Sequence, residues 1–344
     1  MASLTDSWRL GETELPNRVV LAPLAGIGNW FVRLQARRYG AGLVVSEMVS
    51  SCAIHYRNER TWRELLRIDE REQAGGPVSI QLFGADPDIT RSAAGHVARL
   101  GADVIDLNMG CPVPKVCKTG AGAALLDDGD RAVAIARAAR EGSGLPVTVK
   151  LRSGRRAGDT SGFRLAHRLV AEAGVSAIAF HPRAAVAGHK GLPDYSLAAE
   201  LARTLDAPVI LSGGLQTAAA TREAFEATGV AAVMIARGAL GNPWLFEELL
   251  GRRTAPPARQ EVLAEIDWVI DRAGEHLGAE RASRYLRRFY PWYIERLALD
   301  RLSARRLCSS LQQATSFEEV RGLLERTTEV QALTLAGASE PAYA

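Results

Sequence analysis

From residue 103 to 126 the chain reads DVIDLNMGCPVPKVCKTGAGAALL, setting Asn108 at the end of an apolar run and Cys111 three residues later beside Pro112. A thiol with a pKa of about 8.5 is mostly protonated at neutral pH. It can therefore give a proton to a developing carbanion and recover it from water. An isolated cysteine is otherwise a small buried packing residue, and Cys117, which has no strand-end placement, is read that way. The string GAGAA at 120–124 lacks the third glycine and the G-K-[ST] ending of nucleotide loops, and reads as a tight turn.

Other reactive groups recur at the ends of apolar runs. Lys150 lies inside VTVKLR, where an unpaired ammonium is expensive to bury. Three partners suit it: the electron-rich edge of a reduced flavin, a carbonyl forming a Schiff base, or a carboxylate on a neighbouring strand. Gln81 can read the polar edge of a planar ring or satisfy backbone groups at a rim, and His181 can reach a phosphate or act as a hydrogen-bonded core residue. Two further runs, PVILSGG and AAVMIARGAL, end in Gly213-Gly214 and in Arg237-Gly238. Side by side, such ends hold a phosphate, because glycine lets backbone N–H groups approach an anion and arginine matches its charge.

The elements that must position these groups are repeated strands. Six short Val/Ile/Leu-rich segments precede the two glycine-ended runs, at 17–24, 42–48, 77–84, 103–110, 146–152 and 177–183. That makes eight. Most are continuous rather than alternating in apolar residues, as strands buried on both faces of a parallel sheet are. Helical periodicity lies between them, clearest in ITRSAAGHVARLGA, RAVAIARAAREG, FRLAHRLVAEAGV and ATREAFEATGV, each ending near a glycine. Strand and helix in strict alternation, with no G-x-G-x-x-G after the first strand, predict an α/β fold of the TIM (β/α)8 barrel type with a C-terminal helical domain. Glu47, Gln81, Asn108, Lys150, His181 and Arg183 then gather at the C-terminal strand ends, the catalytic face of that architecture.

At 344 residues the chain exceeds one barrel. The charged, proline-paired stretch GRRTAPPARQ predicts a boundary near 251–258, with a barrel over 1–251, helices over 259–334 and a flexible tail over 335–344. Charged residues make up 24% of the chain, no apolar run is long enough to cross a membrane, and MASLTDSWRL lacks the apolar core of a signal peptide. The four cysteines have no paired metal spacing, so neither a metal nor a disulfide framework is expected, and a cytoplasmic location is. The net charge of +3 does not by itself imply a polyanion partner. Its distribution is more telling: residues 281–306 carry eight arginines against only Glu295 and Asp300, interleaved with Tyr285, Phe289, Tyr290, Trp292 and Tyr293. Arginine contacts phosphates and aromatics stack on unpaired bases, while the same pattern also describes a helical bundle with an aromatic core and a solvated basic face.

In these motifs the chain resembles the tRNA-dihydrouridine synthase family. The matching pieces are LAPLAG, SEM, QLFG, DLNMGCPVPKV with GAGAALL, VTVKLR, FHPR, LSGGL and MIARGALGNPWLF, in family order, and RYLRRFYPWY resembles the helical RNA-binding domain of that family. The resemblance implies an FMN enzyme that reduces the C5=C6 bond of selected tRNA uridines, with NADPH reloading the flavin. It implies Cys111 as the acid that protonates C5 and Asn108 as the residue holding the uracil edge. Pro23, Leu24 and Ala25 would approach the flavin through the backbone, Gln81 and Lys150 would bind its ring, and His181 would lie near its ribityl or phosphate portion. Ser212, Gly213, Gly214, Ala236, Arg237 and Gly238 complete the implied cofactor site, and Arg284, Arg287 and Arg288 the RNA-binding face. Leu24 stands where methionine is common in the family, and Ser212 where asparagine is. Two other readings fit part of the pattern: an FMN barrel acting on a free pyrimidine or an enone, and a non-catalytic RNA-binding barrel. The chain is expected to act as a monomer.

Overall fold

The computed structural model describes residues 2–326; the expected tail at 335–344 lies outside the described residues. Chain contacts divide the protein into two units, one running through Ala239 and Pro243–Thr254, the other comprising Leu240–Asn242 and the residues from Ala255 on. The division after Thr254 falls inside the proline-bearing segment at 251–258.

Eight parallel strands build the first unit: β1 (Val19–Leu21), β2 (Leu43–Val45), β3 (Val78–Phe83), β4 (Val104–Met109), β5 (Val147–Arg152), β6 (Ala177–His181), β7 (Val209–Ser212) and β8 (Ala232–Ile235). Each pairs with the next, and β8 returns to β1 through Val233↔Val19, which closes a barrel. The two-residue Val49–Ser50 adds a second short pairing to β3. Residues of both strand faces are buried, as in β4, where Val104, Ile105, Leu107 and Met109 are each at most 2% exposed. This is why those segments read as continuous apolar runs. Four intervening helices occupy Pro87–Arg99, Gly129–Ser143, Ser161–Ala173 and Ala218–Thr228, and the last three stop at left-handed glycine caps.

An antiparallel hairpin, Trp8–Leu10 with Thr13–Leu15, precedes the barrel. Its Trp8, Leu10 and Leu15 join Val20, Leu43, Val104, Ala177, Ala179, Ile210 and Ala232 in one apolar cluster, so the hairpin packs against the inward-facing residues of the strands. The indole Nε1 of Trp8 donates to the Asn17 carbonyl at 2.8 Å. Sequence reading missed these three-residue strands.

The second unit is helical, with helices at Arg259–Leu277, Ala279–Leu286, Tyr290–Ile294 and Arg301–Gln313. Phe289, Tyr290 and Tyr293 are buried, which assigns those aromatics to packing rather than to base stacking. Arg281, Arg284, Arg288, Arg296, Arg301, Arg305 and Arg306 are exposed. No helix among the described residues is long and apolar enough to cross a membrane.

Candidate active site

Strand parity decides which polar groups meet. Side chains two apart share a face, so Asp106 and Asn108 of β4 point the same way, as do Thr148, Lys150 and Arg152 of β5. The register sets Gln81 beside Asp106, Asp106 beside Thr148, Asn108 beside Lys150 and Arg152 beside His181. A connected polar layer results. The Gln81 amide donates from Nε2 to Asp106 Oδ2 at 2.5 Å and accepts from Asn108 Nδ2 at 2.9 Å. Thr148 Oγ1 donates to Asp106 Oδ1 at 2.6 Å, and the Gln81 backbone N–H donates to Ser46 Oγ at 2.9 Å.

Asn108 also fixes the turn after β4. Its Oδ1 accepts the backbone N–H groups of Cys111 at 2.9 Å and Gly110 at 3.3 Å. The Cys111 carbonyl is held in turn by the N–H of Ala123 at 2.9 Å and the Cys117 thiol at 3.3 Å. A side chain at Gly122, where φ is +61°, would meet that carbonyl and Val116, so the GAGAA turn is the support packed against the cysteine. Cys111 is half-buried. Burial pushes its thiol above the ordinary range, with Cys117 adding to the rise and Arg152 and a backbone hydrogen bond opposing it. The protonated thiol is the favoured form.

Beyond this turn the site is crowded with cations. Lys150 Nζ reaches Ser212 Oγ at 3.3 Å, and burial followed by Arg152 brings its ammonium down to about 8 against the pull of Asp106. Burial, then Lys150, Arg152, Arg183 and His189, pushes His181 down to about 2, which leaves a neutral imidazole. His189 is lowered by burial and by Arg237, Arg152, Arg183 and Lys150. Arg183 is lowered by burial first and then by Arg237, and its buried Nε has no hydrogen-bond partner. The rest of its guanidinium holds the Gly191 carbonyl at 2.7 Å, and Arg152 holds those of Gly188 and Ala184. Like charges concentrated in this way call for an anion between them.

The backbone offers the matching cradle. Gly213 and Gly214 have φ of +99° and +82°, and a side chain would strike the His181 ring at the first and Tyr195 with Pro193 at the second. At the end of β8, a side chain on Gly238 would meet the Leu215 carbonyl, so the corner carrying Ala236 and Arg237 lies against the turn after β7. Tyr195 Oη donates to the Gly213 carbonyl at 3.0 Å and secures the glycine turn. At the end of β1, Pro23 and Leu24 are partly or fully buried and Ala25 is exposed. The Leu24 carbonyl closes a turn onto Gly28, and Glu47 Oε2 accepts the Gly26 N–H at 2.8 Å. The cationic corner, its glycine turns and the unpartnered Arg183 Nε suit a phosphate, and the Lys150 ammonium suits an electron-rich group.

Sequence reading missed Asp106, Thr148, Arg152 and Tyr195. The first three share a strand face with Asn108 or Lys150, but only the register between strands shows what they meet, and Tyr195 lay in a helix with no polar pattern to mark it. In the helical unit, Arg284 pairs with Glu280 at 2.9 Å and Arg288 lies over the Tyr285 ring at 4.8 Å. Arg287 differs: it is half-buried and reaches the Ala314 carbonyl at 3.5 Å.

Comparison with known proteins adds three results. Residues 20–331 match the model of the family described as Dihydrouridine synthase (Dus). The chain is 36% identical over 294 residues to tRNA-dihydrouridine synthase B of Pseudomonas aeruginosa, covering 84% of this chain and 87% of that one. It is 37% identical over 339 residues to a probable tRNA-dihydrouridine synthase of Mycobacterium tuberculosis, covering 92% and 84%. Among solved structures, morphinone reductase in complex with tetrahydroNAD aligns with a TM-score of 0.54 at 16% identity, over 75% of this chain and 93% of that one, a likeness of fold.

Proposed function

Because the chain belongs to the dihydrouridine synthase family, we infer that it is an FMN-dependent oxidoreductase that reduces the C5=C6 bond of tRNA uridines to dihydrouridine with NADPH as donor. The observation that carries this reading is the Asn108–Cys111 turn at the mouth of β4, which holds a protonated thiol near a cationic, glycine-lined corner. Reduced FMN, when bound, supplies the hydride that adds at C6 and is restored by NADPH.

The chain's own residues do the rest. Gly213, Gly214, Ala236, Arg237 and Gly238 would cradle the phosphate, with the free Nε of Arg183 and neutral His181 beside it. Lys150, steadied by Ser212, would meet the negative edge of the ring, and Pro23, Leu24 and Ala25 would bound it through the backbone. Gln81 keeps one Nε2 proton beyond its bond to Asp106. Asn108 donates one Nδ2 proton to Gln81 and the other, weakly at 3.6 Å, to Met48 Sδ, and a uracil carbonyl would take the place of that sulfur. As the C5=C6 bond opens, its electron pair moves to C5 and takes the proton of Cys111 Sγ. The thiolate left behind is reprotonated from water.

Arg284 and Arg288, with exposed Arg301, Arg305 and Arg306, supply phosphate contacts, and Arg287 supports the helices from within. A monomer acting in the cytoplasm belongs to the same reading. The test is Cys111→Ala. It should keep FMN and NADPH-driven flavin reduction while uridine reduction falls about 100-fold or more, the range for losing a general acid; full turnover of tRNA by the variant rejects the acid role.

A further inference from the structure

The hydrogen bonds running from β5 to the cysteine turn form a chain whose two ends have a fixed sense. At one end an ionised Asp106 can only accept; at the other the backbone N–H of Cys111 can only donate. Between them lie two amides, Gln81 and Asn108, each of which can be turned either way. With the carboxylate ionised only one order satisfies every link. Gln81 turns its NH2 to Asp106 and its oxygen to Asn108, and Asn108 turns its NH2 to Gln81 and its oxygen to Cys111. Reversing the amides sets the Asn108 NH2 against the Cys111 N–H, donor against donor, and frees the turn.

We propose that Asp106 is a positioning residue for the proton donor: through Gln81 and Asn108 its carboxylate sets the direction of the chain ending on Cys111, and Thr148 preserves that direction when the carboxylate is neutralised. This rests on Cys111 being the acid. Thr148 enters because its hydroxyl can donate or accept. Toward the carboxylate it donates at 2.6 Å. Toward a neutral head with one donor and one acceptor it can accept, which leaves the acceptor free for Gln81 and the order intact. A valine at 148 offers no acceptor, so a neutral head that keeps its acceptor on Gln81 leaves its own donor buried and unpaired, and relieves it only by turning to donate to Gln81, which reverses both amides. The charge state of Asp106 is within reach of such a change: burial raises it to about 6, against the hydrogen bonds from Thr148 and Gln81 and the charge of Lys150.

The test is a double-mutant cycle of Asp106→Asn and Thr148→Val, each variant loaded with FMN and reduced by NADPH. Transfer to unmodified tRNA is followed as flavin reoxidation. Each single variant should transfer within about threefold of wild type at roughly pH 8, and the pair should fall about 30-fold or more, far beyond the product of the singles. Flavin reduction by NADPH should stay within about twofold throughout. A double variant no slower than that product overturns the proposal.

Thr148→Val alone keeps every charge and gives an independent reading should the double variant fail to take up FMN. Its transfer should collapse as pH falls through about 6 or slightly above, because it lacks the hydroxyl bond that lowers Asp106, while wild type declines little. Over that range the neighbouring Lys150 stays charged. Superimposable pH profiles for the two proteins overturn the proposal. Cys111→Ala in the same assay separates the readings. If it is inactive and the cycle is additive, the Asp106 role alone is rejected; if it is active, the acid role falls and this inference with it.

Discussion

Lys150 sits where its charge depends on what it faces. Without a bound anion its ammonium is held down to about 8, while an anion beside it stabilises the protonated form and raises that value again. Below about pH 8 the charge is present before and after FMN binds, so affinity is flat; above it, binding must take up a proton. FMN affinity is therefore expected to weaken by up to about tenfold per pH unit from pH 8 to 9.5, read by flavin titration, and Lys150→Met should bind more weakly with no such slope. A wild-type affinity unchanged across that range would show that Lys150 does not face the cofactor. Single polar residues such as this one were legible in the sequence because a lysine or asparagine stands out in an apolar run. Asp106 and Arg152 stand in the same runs, yet their importance depends on which neighbour the register supplies: Asp106 receives Gln81 and Thr148, and Arg152 comes beside His181. No pattern within one strand carries that information.

The strands themselves were readable because a barrel wall is buried on both sides, but their ends were not. The expected strand at 42–48 narrows to Leu43–Val45, since the chain after it turns so that Glu47 can take the Gly26 N–H. The run ending in Arg237 stops at Ile235, where a short 3-10 turn at Arg237–Ala239 begins. Each shortened strand frees backbone for the site, so the error falls where function needs loops. The N-terminal hairpin escaped for another reason: strands of three residues give no periodicity, and only tertiary burial shows that Trp8 is 8% exposed and Leu10 and Leu15 fully buried. Trp8→Ala is expected to destabilise the protein by roughly 3 to 5 kcal/mol, seen as a lower urea midpoint, because it empties part of the packed cluster and removes the bond to Asn17. The flavin absorbance of the folded variant should be unchanged, since no residue of the hairpin bonds to the site. A midpoint equal to wild type would mean the hairpin merely lies on the barrel.

Across the whole molecule the charge is uneven rather than large. A net +3 is compatible with many partners, whereas eight arginines against two carboxylates in residues 281–306 favour a polyanion. Burial of Phe289, Tyr290 and Tyr293 takes three of the five aromatics out of the stacking argument, which leaves half-buried Tyr285 and Trp292 beside the electrostatic half. Binding through such a surface releases counterions from the RNA, so its signature is the salt dependence of affinity rather than affinity at one ionic strength. Replacing Arg284 and Arg288 with glutamine should reduce the slope of log K against log salt by about 0.7 for each phosphate no longer neutralised, or roughly 1.4 for the pair, with flavin content unaltered. Arg284 must give up its exposed pair with Glu280 to reach a phosphate, a small loss for a solvated ion pair, so both positions should register. Arg287→Gln, which disturbs the bond to Ala314, is instead expected to lower thermal stability with the slope nearly intact. Should the slope of the Arg284/Arg288 double variant match that of wild type, those arginines are a solvated face and the RNA is held elsewhere.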